Sequence, residues 1–169
     1  MGKRSNFIRR KADAYHTIDF RAAKALEPHI KYIDYYAEPC VGNYDLVKQL
    51  TKIGKCCSYV GDIQIGKDAL QPCIWGKSQA IITNPPWTRT LLHPLINHFM
   101  HQLPTWLLFD SDWAYNKSSA PYLDYCSDIV AVGRLRWIEG TTQTGKDNVS
   151  WYRFWHRHVG KTNFHARHT

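Results

Sequence analysis

The sequence predicts an α/β domain built on a mostly parallel sheet, with an antiparallel hairpin at its C-terminal end. Short β-branched or aromatic runs alternate with stretches of helical periodicity, which is the pattern of strand–helix–strand units. The runs ending near residues 38, 60 and 83 each stop at a polar residue next to a turn former: Glu38-Pro39, Gly61-Asp62 and Asn84-Pro85-Pro86. A polar loop from Gly140 to Asn148 then separates two apolar stretches, as in a closing hairpin.

The elements follow in order. Met1 to Lys11 is basic, and the tails at 1–12 and 156–169 are expected to be flexible around a single domain, residues 1–169. Ile18, Ala22, Ala25 and His29 fall at helical spacing, with Thr17 as N-cap and Asp19 in the first turn. Tyr32 to Ala37 reads as a strand running into Glu38, and Leu46, Val47 and Leu50 mark a helix that Gly54 ends. Cys57 to Val60 and Ala80 to Thr83 are further strands, the latter stopped by two prolines. Leu91 to Phe99 gives a helical face, in which Pro94 is tolerated only in the first turn. Thr105 to Phe109 is a buried strand and Ser118 to Cys126 a short helix. Ile129 to Val132 is a strand, with a continuation through Leu135 and Trp137 after Gly133. Val149 to Trp155 is the last strand, paired antiparallel.

At 169 residues, 44% hydrophobic and 21% charged, the composition is that of a globular protein, not a disordered or membrane one. No apolar run is long enough for a bilayer and no secretory signal opens the chain, so a cytoplasmic location is expected. The net charge of +8 points to a polyanionic partner, of which nucleic acid is the commonest. Five cysteines without a CxxC pair, and histidines at no ligand-like spacing, argue for free thiols and against a zinc site.

Chemistry gathers at the strand ends. Gly42 lets the backbone turn closely around a ligand, and a carboxylate at the strand tip, Glu38, suits a cationic amine or a ribose. Neither GxGxxG nor GxxxxGK[ST] is present, so the turn is not a phosphate loop. Asp62 is placed to accept from ribose hydroxyls, and Ile63 to cover a purine face. At Asn84-Pro85-Pro86-Trp87 an amide oxygen and a proline-locked carbonyl stand beside an aromatic plane. Two acceptors and a stacking surface suit the exocyclic amine of a flat base.

These motifs, taken together, resemble those of the S-adenosylmethionine-dependent DNA adenine-N6 methyltransferases, specifically the small phage type. Tyr15-x-Thr17 is similar to the family's methionine-binding motif, and Ala37-Glu38-Pro39-Cys40-Val41-Gly42 to its cofactor motif. Gly61-Asp62-Ile63 is similar to its ribose and adenine motif, and Asn84-Pro85-Pro86-Trp87 to its catalytic one. The later stretches Trp106 to Trp113, Gly133 to Gly140, Gly145 to Asn148 and Trp151 to Phe154 also look like small phage members. The resemblance implies a Rossmann-like class I methyltransferase fold, S-adenosylmethionine as cofactor, no metal, and double-stranded DNA with a flipped adenine as substrate. It implies that Tyr15, Thr17, Glu38, Pro39, Cys40, Gly42, Asp62 and Ile63 hold the cofactor and that Asn84, Pro85, Pro86 and Trp87 act on the amine. Arg89, Arg134, Arg136 and Lys146 would contact phosphates, and a phage-encoded protein would work in a bacterial host's cytoplasm.

The chain departs from the family pattern in four places. Tyr44 stands where glycine is common, which would crowd the cofactor turn, and Ile18 follows Thr17 where proline is common. The span from Asp62 to Ala80 is short for a helix plus a third strand, leaving Asp68 as its only acid for an adenine. No separate recognition domain follows the last strand, so specificity should be short or absent, or come from a second subunit. RNA bases or protein glutamine amides are alternative substrates for the same tetrad, and a nucleic-acid-binding module without turnover is a third reading.

Overall fold

The computed structural model describes residues 15–168. The expected flexible segment 1–12 lies outside the described residues. A seven-stranded sheet with the order β2-β1-β3-β4-β6-β5-β7 organises the chain. Its strands are β1 (Tyr35–Glu38), β2 (Cys56–Val60), β3 (Ala80–Thr83), β4 (Thr105–Asp110), β5 (Cys126–Gly133), β6 (Val149–Phe154) and β7 (Asn163–His165). All run parallel except β6, which lies antiparallel between β4 and β5.

The sheet is covered on both faces, so neighbouring strand residues are buried in opposite directions. Tyr36, Ile82, Trp106, Leu108, Val130 and Trp151 face the helices α1 (Arg21–Leu26) and α2 (Asp45–Lys52). Ala37, Ile81, Leu107, Phe109, Tyr152 and Phe154 face α3 (Arg89–Met100). The indole of Trp151 donates to the Ala22 carbonyl at 2.9 Å, pinning α1 to the sheet. The short helix α4 (Ala120–Leu123) follows β4. Among the described residues no helix is long and apolar enough to cross a membrane.

β3 and α2 form where the sequence places them, and the other expected strands shift by one to three residues. Helix α1 starts later than expected, at Arg21, and Thr17 is not its cap. The Asp19 carboxylate instead accepts from the Arg21 N–H at 3.2 Å, and Thr17 is turned toward the β3 tip. Pro94 sits in the second turn of α3, not the first, where the carbonyl it leaves unbonded belongs to the exposed Thr90. Water can satisfy that carbonyl, so the helix continues. Ser118 to Cys126 is not one helix. It breaks into a 3-10 turn, the four-residue α4 and the start of β5, which ends at Gly133 without reaching Leu135 or Trp137.

Two larger differences matter for the site. The Asp62–Ala80 span contains only a 3-10 turn, Ile63–Ile65, before β3. Trp75 fills the place of a covering helix: it packs against Tyr59 and Phe99 and donates to Gln102 Oε1 at 2.6 Å. At the other edge the C-terminal segment is not frayed throughout. Asn163–His165 adds β7 parallel to β5, and His165 Nε2 lies 2.8 Å from Asp128 Oδ1.

Candidate active site

Strand β1 pairs with β2 on one side and β3 on the other, with Tyr36 opposite both Cys57 and Ala80. The connection from β1 runs outward to β2 and that from β3 runs the other way to β4, so the tips of β1 and β3 border a crevice, the usual ligand position in an open α/β sheet. A narrow cleft of about 270 Å³, including its open mouth, lies at this point. Tyr15, Thr17, Glu38, Cys40, Gly42 and Asn84, all expected from sequence, line it together with His16, Val41, Asp45 and Leu46. Pro39 and Pro85 are buried beside it, and Pro86 is exposed.

Gly42 has φ +50, a conformation that favours glycine, and an added Cβ would stand 3.0 Å from the His16 ring, closer than ordinary contact. Tyr44 does not crowd the turn. It takes the left-handed conformation itself, φ 64, at the N-terminus of α2, and its ring is largely exposed. Glycine takes that conformation without strain, whereas a tyrosine pays for it. Asp62 braces the same turn, accepting from the Gly42 N–H and the Gln64 N–H, each at 2.9 Å. Asp62, Ile63 and Asp68 are not among the cleft-lining residues. Ile63 is exposed, and Asp68 accepts from the Leu70 N–H at 3.0 Å.

Glu38 is 1% exposed and accepts from the Cys40 N–H at 3.0 Å. Burial pushes its carboxyl up to about 8, outweighing that hydrogen bond. A carboxyl without a cationic partner prefers to be neutral in such a place, so the site is suited to a ligand that brings positive charge.

The Asn84 carboxamide ties three parts of the cleft together. Its Nδ2 donates to the Tyr15 carbonyl at 2.7 Å and to Thr17 Oγ1 at 3.0 Å, and its Oδ1 accepts from the Trp87 indole at 3.0 Å. Both donors are used, whereas one of the two oxygen lone pairs is left without a partner among the described residues. Gln49, buried under the same segment, donates to the Thr17 carbonyl. The indole of Trp87 also donates to the Leu108 carbonyl at 3.2 Å, which fixes the ring across the tips of β3 and β4.

The aromatic plane is not open. Tyr15 stacks on Trp87 with centroids 5.3 Å apart and an interplanar angle of 13°. Trp137 meets both rings edge-on, at 5.6 and 5.5 Å. Sequence reasoning missed Trp137 because its contacts come from chain segments 50 and 122 positions away, although its place beside the basic pair Arg134 and Arg136 was a signal. It also missed Asp19, a buried carboxylate that Arg21 grips through Nε and Nη2, at 3.1 and 2.6 Å, and that accepts from the Arg136 N–H at 3.0 Å. Burial raises this carboxyl, but these donors outweigh it and hold it down to about 2. Asp19 thus fastens the Tyr15–Thr17 segment to the loop after β5. Of the expected phosphate contacts, Arg134, Arg136 and Lys146 are exposed on that loop, and Arg89 is exposed at the start of α3.

No protein-family profile matches the sequence, and no curated protein matches it. Among solved structures, a Listeria monocytogenes protein assigned as a class I S-adenosylmethionine-dependent methyltransferase superposes with a TM-score of 0.54. The two are 9% identical over 96% of this chain and 68% of that one. Also similar are a Pyrococcus horikoshii protein assigned as an RNA methyltransferase (TM-score 0.49, 11% identity, 80% of each chain) and a Plasmodium falciparum dimethyladenosine transferase (0.45, 15%, 77% and 60%). The chain therefore has the Rossmann-like class I methyltransferase fold, in which the cleft at the β1/β3 crevice and the Asn84–Trp87 tetrad sit side by side.

Proposed function

We propose that the protein transfers a methyl group from S-adenosylmethionine to the exocyclic N6 amine of adenine in DNA, with short or little sequence preference. The observation that carries this reading is Asn84. Its carboxamide stands at the β3 tip with one oxygen lone pair left, between the cleft that contains the buried Glu38 and the plane of Trp87.

The cleft residues fit the cofactor. S-adenosylmethionine supplies a methyl group on a positively charged sulfonium, and its methionine end adds an ammonium. Glu38 would be the buried carboxyl that ionises to meet positive charge, Gly42 the close backbone approach, and Tyr15 and Thr17 the wall toward the methionine end. Asp62, with further lone pairs beyond its two backbone contacts, remains within this reading the ribose acceptor, and Ile63 the adenine cover.

The adenine amine is a poor nucleophile because its lone pair is delocalised into the ring. Asn84 Oδ1 and the Pro85 carbonyl would accept its two hydrogens and favour a more tetrahedral nitrogen. When bound, the sulfonium would supply the methyl group to the nitrogen held by these acceptors and leave as the neutral thioether, and the amine proton would pass to solvent. Positioning and fixed dipoles supply the catalysis. Trp87 offers the stacking plane, and a base reaching its outer face must displace Tyr15. Stacking is worth about 1–3 kcal/mol per base, enough to offset much of the few kcal/mol that flipping costs.

Transfer of labelled methyl groups to DNA, RNA and protein in parallel tests the proposal. Label should enter DNA and be lost in Asn84→Ala, and label entering only RNA or protein would refute it.

A further inference from the structure

Strand β7 extends the sheet in the one direction that carries the end of the chain to the site edge. It runs parallel to β5, with Val130 opposite His165, so the residues after His165 climb alongside Ala131 to Gly133. Gly133 lies in register with Val149, and Val149 with Asp110 at the tip of β4. The end of β5 is therefore on the same edge as Glu38 and Asn84.

Arg167 arrives there with its side chain against the backbone of Gly133. A Cβ added at Gly133 would stand 2.8 Å from Arg167 Nη1 and 3.3 Å from its Cδ, and Gly133 has φ +90. The backbone conformation favours glycine at this point, and the guanidinium of Arg167 occupies the space that its missing side chain leaves. Arg134 follows at once, its carbonyl accepting from Arg21 Nη2 at 3.0 Å, and Arg136 is held through its N–H by Asp19. The next residue, Trp137, is the edge-on partner of Tyr15 and Trp87. A row of exposed arginines, 167, 134 and 136, the last with its Nε 3.7 Å from Asp19 Oδ2, thus leads into the aromatic cluster beside Asn84. Asp19 is buried beneath it, and the acids Glu139 and Asp147 are exposed on the same loop, which returns to the row where the Gly145 N–H donates to the Leu135 carbonyl at 2.7 Å.

We infer that this row is a docking strip for the phosphodiester backbone flanking the target base, assembled by folding the C-terminal segment onto β5. The strip rests on the proposed reading of the site, and supplies a backbone contact from within the methyltransferase fold itself. Phosphate contacts position a strand without reading its sequence, which matches a protein of short or little specificity. Its partner is a nucleic-acid strand, because guanidiniums beside an aromatic cluster match alternating phosphates and bases.

Salt dependence of binding to a fluorescent DNA duplex tests the strip. Each arginine that displaces a counterion adds about 0.9 to the slope of log K against log salt. The double variant Arg134→Gln/Arg167→Gln should lower the slope by about 2 and weaken binding at least roughly tenfold at about 0.1 M salt. Arg134→Lys/Arg167→Lys should restore the slope, and Lys31→Gln/Lys55→Gln, at the opposite sheet edge, should leave it unchanged. Unchanged cofactor affinity in the glutamine variant shows that it has folded. A wild-type slope in the glutamine variant, or an equal loss in the Lys31/Lys55 control, would overturn the strip. If the slopes behave as expected but no methyl group is transferred, the strip stands and the proposed activity fails. If methyl groups are transferred but the slope ignores the arginines, the activity stands and the strip fails.

Discussion

Replacing Glu38 by glutamine removes a carboxyl whose ionisation the fold opposes and the proposed cofactor requires. Burial holds it at about 8 against an ordinary 4.5, so at pH 7 roughly nine in ten molecules of the free protein carry this proton. A cationic cofactor selects the ionised form, so binding at pH 7 should release close to one proton and weaken toward tenfold per pH unit below about 8. Calorimetry in buffers of different ionisation enthalpy counts that proton. Stability of the free protein moves in the opposite sense. Between pH 4.5 and about 8 the folded state holds a proton that the unfolded chain has lost, so stability falls as pH rises through that window. Glu38→Gln should therefore melt higher than wild type near pH 9, by an amount whose ceiling is on the order of 5 kcal/mol, while losing cofactor affinity. Affinity independent of pH, or a variant that melts lower than wild type near pH 9, would refute the reasoning.

Other perturbations separate the remaining parts. Asn84→Ala should reduce methyl transfer by about 10²–10³-fold, the scale of losing one preorganised polar group, with initial rates as the measure. Trp87→Ala should raise the KM for DNA roughly 10- to 100-fold through lost stacking while changing cofactor affinity less, which a two-substrate kinetic analysis resolves. Asp19→Asn should remove about 2 kcal/mol of stability at neutral pH. Because the wild-type carboxyl is held at about 2, its contribution is present above pH 3.8 and lost as pH falls through 2, so the two proteins should converge in acid melts. Tyr44→Gly should stabilise by up to about 1 kcal/mol, since it relieves a left-handed tyrosine at the cost of chain entropy; a lower melting temperature would contradict that account.

What the sequence makes legible follows the range of the forces involved. Ala80–Thr83 is readable because a β-branched run and two prolines define both ends locally, and the Asn84–Trp87 tetrad inherits its position from that strand. The turn after β1 is readable from Glu38 and Gly42 for the same reason. The start of α1 is not, because the Asp19 carboxylate is shared between Arg21 and Arg136, which are 115 positions apart in the chain. Strand β7 is three residues in a basic stretch, and the open edge of β5, the Asp128–His165 pair and the Thr162 hydroxyl on the Cys126 carbonyl make it a strand. The stacking of Tyr15 on Trp87 depends on the N-terminal segment folding over the β3 tip, a long-range event that no local pattern encodes.

The most direct test of the central claim is the identity of the methylated product. DNA treated with the protein and S-adenosylmethionine, digested to nucleosides and resolved by mass spectrometry, should contain N6-methyladenosine in its deoxy form, and about 10²–10³-fold less after equal treatment with Asn84→Ala. Methylation at cytosine, or no modified deoxynucleoside despite tight cofactor binding, would contradict the account.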